Sequence, residues 1–162
     1  MNPTARNNTW VIWASFAAAL LLDILPLPDL LMPYWPEWLP MVLLYWVIAL
    51  PHRVGIFTAW IVGLFVDAVQ GSTLGLNAMS LSIMTYFTLL LYQRIRLFPR
   101  WKQSLVIAML VGIYMLLVLG LKNLITPFDS HFSYWIPMFS CGLIWSWLFI
   151  LLRDLRRQLR VN

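Results

Sequence analysis

Long apolar runs separated by short polar or proline-rich stretches dominate the chain. A helix needs about 20 apolar residues to cross the hydrocarbon layer, and fewer where its flanking residues reach the interface. Six runs meet or approach that length: residues 10–25, 38–50, 54–69, 74–92, 104–121 and 134–152. Apart from the cysteine and tyrosines, the ionisable side chains inside them are Asp23 and Asp67. The pattern predicts an all-α fold, a polytopic membrane protein built as a six-helix transmembrane bundle. Residues 1–162 form a single integral membrane domain in this reading.

Composition strengthens the reading. Of 162 residues, 62% are apolar, only 11 are Lys or Arg and 6 are Asp or Glu. A soluble domain carries about a quarter charged residues, enough to cover its surface. An aromatic content of 15% and a mean hydropathy of +0.80 are the opposite of a disordered chain. The single Cys141 has no partner for a disulfide or a cysteine metal site. Arg6 followed by an apolar run resembles a secretory signal. However, Pro26, Pro28 and Asp29 stand where a small-residue cleavage site belongs, and Trp10, Trp13 and Phe16 suit a permanent anchor.

The charges set a direction. With the N-terminus in the cytoplasm, every Lys and Arg except Lys122 falls on the cytoplasmic side, and Lys/Arg bias in short loops is what orients such chains. Dropping one helix would scatter the charges, so the short second span is retained and both termini are expected inside. The positive charge then serves orientation and contact with anionic lipid heads, and nucleic acid is not an expected partner. Between the first two spans, Pro26, Pro28, Pro33 and Pro36 oppose helix, while Tyr34, Trp35 and Trp38 favour the headgroup zone. The segment from Lys122 to Ser133 reads as an outer loop.

The densest polar patch is Gly63-x-x-x-Asp67-x-x-x-Gly71-Ser72-Thr73-Leu74-Gly75. Extended backward through Ala59 and Gly55, the spacing of four makes a slanted, nearly flat ridge that lets another helix approach closely. This places the third span at the centre of the bundle. Asp67 lies near the outer, C-terminal end of that span, where the helix dipole disfavours negative charge. It therefore needs compensation, with Ser72, Thr73, backbone N–H groups of the glycine turn and Lys122 as candidates. A hydrogen-bonded structural clamp and a proton- or ligand-binding role both remain open for it. Asp23 reads as a solvated interfacial charge.

Other polar residues carry bland readings. Leu50-Pro51-His52-Arg53-Val54 forms a tight inner corner, with Pro51 stopping a helix, Arg53 obeying the charge bias and His52 capping a helix end or meeting a cytoplasmic partner. Ala78, Ser82, Thr85 and Thr88 are expected to provide interhelical hydrogen bonds rather than a ligand site, and Ala14-x-x-x-Ala18 is a further small-residue pair suited to helix contact. Asp129, Ser130 and His131 are adjacent, which does not make a catalytic triad. No phosphate loop, dinucleotide fingerprint, zinc motif or nucleophile elbow occurs, so neither an enzyme nor a cofactor is expected. The run Arg153–Arg160 continues the sixth helix as a basic amphipathic tail.

From Trp38 to Gly75 the chain resembles the rod shape-determining MreD family of Gram-negative bacteria. Leu43-Leu44-Tyr45-Trp46, Leu50-Pro51-His52-Arg53-Val54, Gly63, Asp67 and Gly71-Ser72-Thr73-Leu74-Gly75 carry the resemblance. It implies a non-enzymatic inner-membrane component of the cell-elongation machinery that binds MreC. The implied wider complex contains MreB, the glycosyltransferase RodA and its penicillin-binding transpeptidase, and it places lateral peptidoglycan synthesis. The resemblance also implies a fold similar to the S components of energy-coupling-factor transporters. A vitamin-type transporter component with an intramembrane pocket around Asp67 is the rival reading.

Overall fold

The computed structural model describes residues 9–28, 31–125 and 132–158. They form six helices: α1 (Thr9–Ile24), α2 (Trp38–Ala49), α3 (Ile56–Gln70), α4 (Leu76–Leu97), α5 (Arg100–Ile125) and α6 (Ile136–Gln158). Single 3-10 turns occur at Met32–Tyr34 and Phe132–Trp135, and there is no strand among the described residues. The six apolar runs become the six helices. The last three extend beyond their apolar runs because Arg and Lys are good helix formers and can reach the interface from a helix end.

Helices adjacent in sequence pack as hairpins, α1 on α2, α3 on α4, α4 on α5 and α5 on α6. The centre belongs to α2, which packs against α1 and α4 and also touches α5 and α6. Every residue from Leu39 to Ile48 is buried, as a helix apolar on all sides must be when neighbours surround it. The expectation that the third span is central is therefore corrected. α3 turns Phe57, Trp60, Phe65 and Val69 outward, because its small-residue ridge serves one neighbour, α4. A Cβ on Gly63 would lie 2.3 Å from Ala78 Cα, so this glycine is what permits the contact.

α2 has only 12 residues, a rise of about 18 Å against about 30 Å of hydrocarbon. Its terminal backbone groups consequently need partners inside the protein. At one end the N–H groups of Trp38 and Leu39 donate to Asp23 Oδ1 and Oδ2, at 2.9 and 3.0 Å. At the other, Arg96 Nε and one Nη donate to the carbonyls of Ile48 and Ala49, at 2.7 and 2.8 Å.

α5 and α6, with 26 and 23 residues, are each long and apolar enough to cross a membrane, and α1 and α3 are shorter apolar helices. The outward faces carry Phe57, Leu90, Leu116 and Leu143, a surface that water disfavours. Arg53, Arg94, Arg96, Arg100, Lys102, Arg153, Arg156 and Arg157 gather at the bundle end formed by the starts of α3 and α5 and the ends of α2, α4 and α6. Lys122 lies at the opposite end, within the last turn of α5 and not in a loop.

Candidate functional site

The glycine turn joins α3 to α4 and is held by the side chain of Asp67. Gly71 ends α3 in the left-handed region at φ 63°, and Gly75 starts α4 at φ 99°. Residues with a Cβ are disfavoured at both angles, so each glycine is required by the reversal. The carbonyl of Asp67 accepts the N–H groups of Gly71 and Ser72, which closes the end of α3.

The carboxylate, with no solvent exposure, faces the start of α4. Oδ1 accepts the Ser72 hydroxyl at 2.6 Å, the Asn77 N–H at 3.1 Å and the Asn77 side-chain amide at 3.0 Å. Oδ2 accepts the N–H groups of Gly75 at 2.9 Å and Ala78 at 3.3 Å. Helix starts leave their first N–H groups unpaired and carry a partial positive charge, so a carboxylate is the fitting acceptor. Asp67 thus does from the preceding helix what an N-cap side chain does locally. Tyr114 of α5 extends the network by donating its hydroxyl to Asn77 Oδ1 at 2.8 Å.

Of the four expected sources of compensation, Ser72 and the backbone N–H groups are present. Thr73 is exposed and contributes only its carbonyl, which accepts the Leu76 N–H. None of the five donors to Asp67 comes from Lys122, whose electrostatic partner is Glu37. Glu37 precedes α2; burial pushes its carboxyl above the usual range, and the Lys122 charge opposes that shift. The Asp67–Lys122 pairing is corrected, because backbone and amide donors already fill the lone-pair positions of the carboxylate. Asp23 is also corrected. It is half-buried and bonded to the start of α2, not a solvated charge.

The remaining sites fall elsewhere. The 51–53 turn forms the expected corner, with Arg53 N–H and Val54 N–H donating to the Leu50 carbonyl. Arg53 also reaches Thr9 Oγ1 at 3.4 Å. His52 is exposed and makes no hydrogen bond to a helix end among the described residues. Ser82 and Thr88 donate to carbonyls of their own helix at Ala78 and Met84, because a hydroxyl in an apolar helix finds the carbonyl four residues back first. Interhelical bonding by these two is therefore corrected. Asp129, Ser130 and His131 lie outside the described residues.

Two cavities stand out. An apolar groove of about 210 Å³ between α1, α2 and α3 is lined by Trp13, Phe16, Ala17, Leu20, Leu39, Val62 and Phe65. A basic one of about 480 Å³ lies at the Arg-rich end. Neither of these two is lined by Asp67, Ser82, Thr85 or Thr88.

The model of the family described as rod shape-determining protein MreD matches residues 4–155. The chain belongs to the MreD family. It is 34% identical over 153 residues to the rod shape-determining protein MreD of Haemophilus influenzae, covering 94% of each chain. No solved structure matches it. Membership gives this MreD-family chain a role in rod shape determination and places it in a membrane, among structural proteins and not in a known enzyme family. Asn77 and Tyr114 belong to the Asp67 network although no sequence motif marks them. Their signal was a lone amide just after the glycine turn, inside an apolar run where an unsatisfied polar group is costly.

Proposed function

We propose that the protein is a non-enzymatic inner-membrane scaffold of the cell-elongation complex that binds MreC and helps to position lateral peptidoglycan synthesis. It is multi-pass, with both termini in the cytoplasm and a single bundle of the S-component type. MreB, RodA and the elongation transpeptidase are its wider partners. The observation that carries the reading is the free side of α1. Ala14, Ala17 and Ala18 are exposed there, and Ala17 borders the apolar groove between α1 and α3. Small residues let a transmembrane helix approach closely, and the groove receives its larger side chains. The exposed Thr73 of the glycine turn would sit on the outer rim of that docking surface.

Site-specific photocrosslinking in native membranes tests this. Probes at Ala18 and Thr73 are expected to capture MreC, and probes at Leu116 and Leu143 on the outer faces of α5 and α6 are not. Capture confined to the α5 and α6 probes would refute the proposed face.

A further inference from the structure

We infer that the basic cavity at the Arg-rich end is a binding site for the phosphate of an anionic phospholipid headgroup. This goes beyond partner docking and uses a different face of the protein. The cavity lies where the end of α2, the end of α4, the start of α5 and the end of α6 meet. Arg96, Arg100, Arg153 and Arg156 line it together with Tyr45 and Gln103. Asp154 is the acid beside it, bonded to Arg153 at 3.4 Å. Four guanidinium groups facing one cavity repel one another, and a bound anion relieves that repulsion.

The donors are held in place before any ligand arrives. Arg96 is tethered by two of its nitrogens to the α2 carbonyls. Arg100 lies with its guanidinium 4.9 Å from the centre of the Phe149 ring, which fixes the plane and leaves the N–H edges without a protein acceptor among the described residues. Planar guanidinium edges match phosphate oxygens in pairs. Gln103 is the decisive side chain. It is 4% exposed and lines the cavity, yet its amide has no hydrogen-bond partner among the described residues. The amide atoms are not sealed from solvent but open on the cavity, so they are placed to meet a ligand that comes from outside the fold. α5 also begins here with no acid in its first turn, although the start of a helix favours negative charge.

The surroundings favour a lipid over a soluble anion. Ile48, Ala49, Phe98 and Phe149 form an apolar wall beside the arginines. Leu97 and Trp101 are 85% and 67% exposed at the same end, as residues of the headgroup zone are. A basic pocket between helices with an apolar flank suits a phosphodiester with acyl chains leading into the bilayer.

The test uses the full-length protein purified in detergent, with native mass spectrometry and thermal melting as readouts. Cardiolipin or phosphatidylglycerol is expected to stay bound and raise the melting temperature, and phosphatidylcholine is not. R100Q/R156Q should weaken retention by roughly tenfold or more, while R94Q, a change at an exposed arginine that does not line the cavity, leaves it unchanged. Q103L, which keeps every charge, should weaken it by several-fold and serves where the double variant fails to fold. Equal losses in R94Q and R100Q/R156Q would overturn the site in favour of diffuse charge. Full retention in Q103L would overturn the role of the amide. Stabilisation by inorganic phosphate alone, without lipid retention, would overturn the lipid assignment.

Discussion

Asp23 and Asp67 perform one task in two settings. Each stands in the last turn of a helix, and each accepts backbone N–H groups from the start of the next. Asp23 is half-buried and takes two such bonds, whereas Asp67 has no solvent exposure and takes five bonds, two of them from side chains. A carboxylate in a last turn works against its own helix dipole, and the neighbouring helix start offsets that cost. The number of donors follows burial at these two carboxylates. Where water still reaches the carboxylate, two bonds suffice; where it does not, the turn, the helix start and a side-chain amide are all engaged. The α5–α6 connection has Lys122 in the corresponding last turn. Among the described residues, the acid cap thus belongs to the α1–α2 and α3–α4 connections, at the bundle end opposite the arginines.

Asp67→Ala should have the most severe effect of any change at the two carboxylates. It strands buried N–H groups and the Asn77 amide, with a loss of about 3–5 kcal/mol, seen as failure to purify folded protein or as a collapsed melting transition. Gly63→Leu comes next, because even a Cβ would meet Ala78 Cα at 2.3 Å and α3 must leave α4. A loss of about 3 kcal/mol or more is expected in the same melt. Asp23→Asn should cost only about 1 kcal/mol, within the range of an ordinary helix cap. Tyr114→Phe removes the outer bond to Asn77 and should cost about 1 kcal/mol.

The smallest effect belongs to Glu37, whose carboxyl is raised from the ordinary 4.5 by burial. The folded state then binds the proton more tightly than the unfolded state. The stability from this group is present at low pH and falls as pH rises from near 4.5 through the raised value. Glu37→Gln should flatten that part of the pH–stability profile and slightly stabilise the protein at neutral pH.

Periodicity and charge carried most of the architecture. The six runs are the six helices, and the positive-inside bias gathered the described basic side chains except Lys122 at one end. The glycine turn was legible because Gly71 and Gly75 flank a short polar break directly after Asp67. Other features were not. Apolar content alone does not distinguish a lipid-facing helix from one encased by protein, so the central place of α2 stayed hidden behind its shortness. The use of Asp23 was invisible because its partners are backbone N–H groups about fifteen residues away, brought close only by the path of the proline-rich linker. Gln103 and Arg96 gain their meaning from helices far off in sequence.

Asp67 acts through structure, as the acceptor that starts α4. Asp67→Asn is the direct measurement, with thermal stability of the purified protein and restoration of rod shape in cells lacking it read side by side. A lower melting temperature together with a matching loss of rod shape is the predicted result. A variant that melts like the parent, reaches normal membrane levels and still fails to restore rod shape would contradict it, since the carboxylate would then be needed for chemistry or binding rather than for holding the turn.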